Sequence, residues 1–259
     1  MKYHEYLETA KSAARESGNF LRQRRDIRID ENLNRDIKLS SDKESEKIIL
    51  STLAISGLPV LSEERGWVSQ KKEESLRWIV DPLDGSFNYF KGLDELTGVS
   101  IALFDDLEPV LGVIYRYATD EIFTGIVGEG AFLNGKAVKT SGVTQVKDAV
   151  LASGFPSARD FSSETLTRFI IDVQNFKKVR MLGSASIMAV FVACGRIDAY
   201  MEEDIRLWDV AAAAAIVTAA GGVADLRVKN DAEYRCLFSC FASNDLKEDY
   251  KNQKRNSDV

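Results

Sequence analysis

A chain of 259 residues can bury a sizeable hydrophobic core as one large domain or two closely packed halves, and 45% hydrophobic with 29% charged residues and four prolines exclude an intrinsically disordered chain. A formal net charge of -6 offers no overall basic field, so nucleic acid is not expected as a main ligand. The single histidine, His4, excludes Ser-His-Asp triads, Cys-His pairs and histidine-ligated zinc, which leaves carboxylates, hydroxyls and metal for any catalysis.

The N-terminal residues Met1 to Glu5 are polar and lack a signal-like apolar region, and no apolar run approaches the roughly eighteen residues of a membrane span. A cytoplasmic protein without a membrane anchor is the expectation. Residues 3 to 21 carry apolar and small side chains at three- and four-residue spacing, the stripe of an amphipathic helix, and Arg22, Arg24, Arg25 and Arg28 read as its solvated end. A second helix is expected after Ser41, capped by Ser41 with Glu44, with Ile48, Ile49, Thr52, Leu53 and Ile55 on its buried side. Strands follow at Pro59 to Leu61 and Leu76 to Val80. A meander of Val99 to Phe104, Val110 to Tyr117, Glu121 to Val127 and Ala131 to Val138 comes next, the last with an Asn134-Gly135 turn.

Beyond Ser153 the pattern alternates. It predicts a helix over Glu164 to Phe176, a strand over Lys178 to Met181, a helix over Ser184 to Cys194, a strand over Arg196 to Met201 and a helix over Trp208 to Ala220 ended by Gly221-Gly222. Strands at Val223 to Leu226 and Leu237 to Ala242 precede a polar tail from Lys247 that is expected to fray. Cys194, Cys236 and Cys240 sit in apolar segments as reduced core thiols do. Cys236 and Cys240 could form half a metal site, but their apolar surroundings read better as a buried strand. These elements give an α+β or α/β chain expected to form a single unit, with two intimate subdomains at about 1–145 and 146–259, an antiparallel meander in the first and alternating helices and strands in the second.

The segment Trp78-Ile-Val-Asp-Pro-Leu-Asp-Gly-Ser86 places Asp81 and Asp84 beside a glycine turn at a strand end. Pro82 biases Asp81 toward an extended backbone, and Gly85 and Ser86 can aim N–H groups at an anion. Two hard oxygen ligands next to a phosphate-sized nest suit magnesium-assisted phosphate chemistry, although a polar turn closing a hairpin has the same composition. Glu63 after one strand and Asp209 at a helix start extend the acidic set. Taken singly, Glu63 could be an exposed loop acid, and Asp209 could serve the helix dipole.

Trp78-Ile-Val-Asp-Pro-Leu-Asp-Gly-Ser-Phe-Asn-Tyr89 and Trp208-Asp-Val-Ala-Ala-Ala-Ala-Ala-Ile-Val-Thr-Ala-Ala-Gly-Gly222, in that order, resemble the two signature segments of the inositol monophosphatase family. Asp36-Ile-Lys-Leu-Ser-Ser-Asp42, Ser62-Glu-Glu64, Gly154-Phe-Pro156, Gly195-Arg-Ile-Asp-Ala-Tyr200 and Ala242-Ser-Asn244 extend the likeness over nearly the whole chain. The resemblance implies a layered αβαβα sandwich of the sugar phosphatase type. It implies a magnesium-dependent, lithium-sensitive phosphate monoester hydrolase, forming a homodimer and using a metal-activated water directly.

Carried onto this sequence, the resemblance makes Glu63, Asp81, Asp84, Asp209 and the Leu83 carbonyl the ligands of two to three magnesium ions, with Asp81 bridging and Glu64 in an outer shell. Asp42 and Ser86 would join Glu63 in catalysis by orienting the water, and Gly85 and Ser86 would present N–H groups to the phosphate. Ser184 and Glu202 would lie near the polyol, and Glu202 reads equally well as a surface acid. Ser86 stands where the family usually has Thr, Lys91 where many relatives have His, and Leu39-Ser40 where Val-Thr is commoner. The expected substrate is an inositol or sugar monophosphate. Fructose 1,6-bisphosphate, histidinol phosphate and 3',5'-bisphosphonucleotides are the alternatives, and a partner-binding regulatory protein with weak catalysis is the alternative of another class.

Overall fold

The computed structural model describes residues 2–23, 27–33, 36–68, 75–155, 160–229 and 231–257. The chain opens with α1 (His4–Gln23), a hairpin of β1 (Ile29–Leu33) and β2 (Asp36–Leu39), and α2 (Ser40–Leu53). Then come β3 (Val60–Ser62), β4 (Gly66–Trp67), β5 (Leu76–Asp84) and the short α3 (Ser86–Phe90). The meander consists of β6 (Gly98–Asp105), β7 (Glu108–Arg116), β8 (Glu121–Ile126), β9 (Gly130–Leu133) and β10 (Lys136–Val138). The alternating part runs β11 (Val150–Ser153), α4 (Ser163–Val173), β12 (Lys178–Arg180), α5 (Ala185–Ala193), β13 (Ala199–Arg206), α6 (Leu207–Ala219), β14 (Val223–Val228), β15 (Arg235–Phe241) and α7 (Asn244–Ser257).

Two sheets result. The larger has the order β10-β9-β8-β7-β6-β5-β3-β4 and is antiparallel except where β3 runs parallel to β5. The smaller has the order β12-β11-β13-β15-β14, parallel across β12, β11 and β13 and antiparallel across β13, β15 and β14. Helices α1 and α2 pack on one face of the larger sheet, α5 and α6 lie between the sheets, and α7 packs on the outer side with α4, whose Phe169 and Val173 join its cluster. The architecture is therefore the αβαβα sandwich, with helix–sheet contacts at every layer boundary.

Periodicity explains the placement. In α1 the buried residues Ala10, Ala13, Ala14, Ser17, Gly18 and Leu21 form one stripe, which suits a surface helix. In contrast, α6 buries every residue from Val210 to Val217, which suits a middle layer. Small side chains there let the helix backbone lie directly on the sheet. A Cβ added at Gly112 of β7 would stand 2.2 Å from the Ala212 carbonyl oxygen, so glycine opposite alanine sets the spacing of these two layers.

Several expectations need correction. Helix α2 begins at Ser40, and its cap is the carboxylate of Asp42, which accepts the Leu39 N–H at 2.6 Å; the Ser41 and Glu44 box does not form. Ile55, expected on the buried side, is 85% exposed because the helix gives way to a short 3-10 turn at Ala54–Ser56. The strand expected over Arg196 to Met201 is β13, which starts later and continues to Arg206. The tail expected to fray is helical as α7, anchored by Leu246 in the outer core and by Lys254 on Asp172 at 2.9 Å. Arg24, Arg25 and Pro156 lie outside the described residues. Among the described residues no helix is long and apolar enough to cross a membrane.

Candidate active site

Strand β5 carries the first two acids, and its pairing with β6 explains how they share a side. Asp81 lies opposite Ser100 and Asp84 opposite Gly98, so three steps on β5 match two on β6. Residues three apart on a regular strand face opposite ways, and the bulge inserts the extra residue that returns Asp84 to the side of Asp81. Pro82, which has no N–H to give the ladder, sits inside the bulge, and its carbonyl accepts the Ser45 hydroxyl at 2.6 Å. The Leu83 N–H donates to Asp81 Oδ1 at 2.9 Å, while the Leu83 side chain is buried.

Gly85 then turns the chain with φ 85°, a left-handed conformation that favours glycine, and a Cβ there would stand 2.9 Å from the Leu96 carbonyl oxygen. Ser86 begins α3. Its hydroxyl is 3.0 Å from the Leu83 carbonyl oxygen and 3.2 Å from Asp42 Oδ1. Asp42 therefore spans two segments, one oxygen on its own helix start and the other on Ser86.

The remaining acids arrive from other elements. Glu63 and Glu64 form the turn between β3 and β4, with the Glu63 N–H on the Val80 carbonyl at 3.2 Å and Lys38 Nζ 3.2 Å from both Glu64 oxygens. Asp209 is in the first turn of α6, where one oxygen accepts the Arg206 N–H at 3.3 Å. Both readings of Asp209 from the sequence are thus compatible, since it caps the helix and also faces the other acids.

Ser184 caps α5 and donates its hydroxyl to Asp84 Oδ2 at 2.5 Å, and the Ser186 N–H reaches the same oxygen at 2.7 Å. Ser184 is buried, so its side chain meets a carboxylate and not open space. Glu202 on β13 is buried too, against the reading as a surface acid, and a Cβ on Gly154 would stand 2.5 Å from its Oε1. Lys91, exposed at the end of α3, holds its ammonium over the rings of Phe87 and Phe90.

Burial and mutual repulsion keep these acids protonated unusually far up the pH scale. Burial raises Asp42 to about 7, assisted by Glu64, and raises Glu63 to about 8, assisted by Asp42 and Glu64. Asp81 is pushed well up by burial and by Glu63, Asp84 and Asp209, and Asp209 is pushed well up by burial and by Asp84 and Glu63. Asp84 also rises through burial, against the lowering effect of its serine partners. Lys38 partly offsets Asp42 and Glu63.

Among the described residues no three of His, Cys, Asp and Glu lie close enough together to form a metal site as they stand, yet Glu63, Asp81, Asp84 and Asp209 interact electrostatically across two elements and a turn. The donors are all hard oxygens, and their repulsion calls for compensating positive charge. That chemistry fits magnesium better than zinc or a soft metal. A separate cleft of about 240 Å³ lies against the smaller sheet and is lined by Phe169, Met201, Leu237 and Lys254. Of the residues singled out from the sequence only Glu202 borders it.

Sequence reasoning did not single out Lys38, Ser45 or Glu46. Ser45 and Glu46 follow Asp42 by three and four positions, so three polar residues at helical spacing within a buried stripe were the available signal.

The chain is similar to known proteins over most of its length. The model of the inositol monophosphatase family matches residues 2–246. The chain is 38% identical over 185 residues to an inositol-1-monophosphatase of Mesorhizobium japonicum, covering 70% of this chain and 69% of that one. It is 32% identical over 227 residues to the Nus factor SuhB of Pasteurella multocida, covering 84% and 83%. Among solved structures, the extragenic suppressor protein suhB of Bartonella henselae superposes with a TM-score of 0.85 at 28% identity, covering 96% of this chain and 98% of that one.

Proposed function

This chain belongs to the inositol monophosphatase family and is a phosphatase, and on that premise we propose that it hydrolyses the phosphate monoester of a small polyol or sugar by direct attack of water, with magnesium as cofactor. Inositol 1-phosphate is the first substrate candidate. The observation that carries the reading is the set of four interacting carboxylates, Glu63, Asp81, Asp84 and Asp209, each with a pKa raised by its burial and, for Glu63, Asp81 and Asp209, also by neighbouring acids.

These four and the Leu83 carbonyl would hold two to three ions, with Asp81 shared between two. Bound magnesium supplies charge neutralisation at the phosphate and a more acidic water. Ser86, in contact with Asp42, orients the attacking water, and Asp42 accepts through the same hydrogen bond. The N–H groups of Gly85 and Ser86 receive phosphate oxygens, and Glu202 accepts from a polyol hydroxyl. Glu64 steadies the turn of Glu63 through Lys38. Ser184 holds Asp84 in place. Because Asp84 and Asp209 come from different halves of the chain, the whole works as one catalytic unit, which we further propose to be a cytoplasmic, lithium-sensitive homodimer.

The test is phosphate release from inositol 1-phosphate, fructose 1,6-bisphosphate, histidinol phosphate and adenosine 3',5'-bisphosphate. Release from inositol 1-phosphate that is lost in chelator and restored by magnesium is the expected result. Turnover of none of the four would remove the catalytic reading. A partner-binding role is the second reading, favoured by a relative named as a Nus factor over 83% of its length. Absence of turnover together with stoichiometric binding of a partner protein would favour that role.

A further inference from the structure

Besides Ser41, helix α2 buries three polar side chains at helical spacing, Asp42, Ser45 and Glu46, exposed by 3%, 0% and 1%. Each meets a different segment of the site. Asp42 contacts Ser86, Ser45 contacts the Pro82 carbonyl inside the bulge, and Glu46 accepts the Arg65 N–H at 3.2 Å while its other oxygen lies 3.0 Å from Arg65 Nε. Arg65 closes the turn that carries Glu63 and Glu64. The other end of that turn is tied to β5 by the Glu63 N–H on Val80. A three-residue turn is thus held at its first and last amides, once by the sheet and once by Glu46.

A buried carboxylate is a costly choice if stability alone were at stake, since apolar packing of the same volume serves stability as well or better. The Arg65 side chain is half exposed and does not itself need an interior partner. What a carboxylate at position 46 provides is a fixed acceptor for the backbone amide two residues beyond Glu63.

We propose that Glu46 is a positioning residue for Glu63, clamping the β3–β4 turn onto α2 so that the Glu63 carboxylate is held against Asp81, where it would serve as a metal ligand. The inference rests on the magnesium reading given above. Glu46→Ala removes the acceptor, and Glu46→Asp keeps the charge but loses one methylene of reach. Glu46→Gln keeps an oxygen for the Arg65 N–H. Arg65→Ala removes only the guanidinium.

Magnesium affinity measured by calorimetry should fall by about 10-fold or more in Glu46→Ala and Glu46→Asp, the range typical of groups that orient a ligand. It should stay within about threefold in Glu46→Gln and Arg65→Ala, which retain the amide contact. In chelator, amide exchange at Arg65 should accelerate in the Ala and Asp variants relative to amides elsewhere in the larger sheet. Glu46→Asp decides the matter if Glu46→Ala does not fold.

Unchanged magnesium affinity in folded Glu46→Ala and Glu46→Asp would overturn the proposal, as would unchanged exchange at Arg65. Failure of the unsubstituted protein to bind magnesium would count against the metal reading instead, and the exchange measurement, which needs no metal, would still decide on the clamp.

Discussion

In the middle layer, α5 and α6 bury a nearly unbroken series of apolar side chains, and Ala212 presses onto the glycine of β7. At the acidic seam, a few residues away along α6, Asp209 faces Asp81, Asp84 and Glu63 in mutual repulsion. The first region is close-packed and gains stability from every contact. The second gathers buried like charges, which lower stability until something positive or a proton joins them. One helix belongs to both regions, so substitutions on it and beside it separate fold from activity.

The largest effect is expected for Asp81→Asn. Removing this charge should reduce phosphate release about a thousandfold, about 4 kcal/mol of transition-state stabilisation. Melting in chelator should nevertheless occur at or above the temperature of the unsubstituted protein, because one source of repulsion is gone. A variant that loses activity by unfolding would erase the distinction between the two regions.

Gly112→Ala probes the opposite region. The added methyl meets a helix carbonyl at 2.2 Å, so about 1–3 kcal/mol of stability should be lost, a drop of about 2–4 °C in melting temperature per kcal/mol. Activity per folded molecule should be unchanged. Reduced turnover with an unchanged melting temperature would show that packing under α6 serves the site directly.

Ser184→Ala lies at the border of the two. Loss of the 2.5 Å hydrogen bond to Asp84 should weaken magnesium binding about tenfold, and loss of the α5 cap should cost about 1 kcal/mol in denaturant unfolding. A change in inositol phosphate KM alone, at constant magnesium affinity, would return Ser184 to the polyol.

Most of the fold was legible because periodicity is a local property: the stripe of α1, the meander and the alternation after Ser153 all appear as spacing. The β1–β2 hairpin was missed because its polar residues, such as Glu31 and Lys38, carry no clear alternation of apolar side chains. The bulge between Asp81 and Asp84 could not be read either, since it is a relation between two strands. For the site, acids at element ends were visible in the sequence. The serine and glutamate braces beneath them were not, because Ser45 and Glu46 gain meaning only from the Pro82 carbonyl and Arg65 amide they meet.

If protons occupy the acidic seam when no cation does, thermal unfolding across pH, with chelator and with magnesium, will show it. Burial raises Asp42 to about 7 and Glu63 to about 8 in the folded chain from ordinary values of 3.8 and 4.5, so between those limits the native state keeps protons that the unfolded chain has released. Their contribution therefore lowers stability as pH rises from about 4.5 to 8, by up to about 1.4 kcal/mol per pH unit for each proton. In chelator the melting temperature should fall through that window, and the gain on adding magnesium should grow with pH as the cation replaces the protons. A melting temperature that stays level in chelator, or a magnesium shift that is the same at pH 5 and pH 8, would contradict the account.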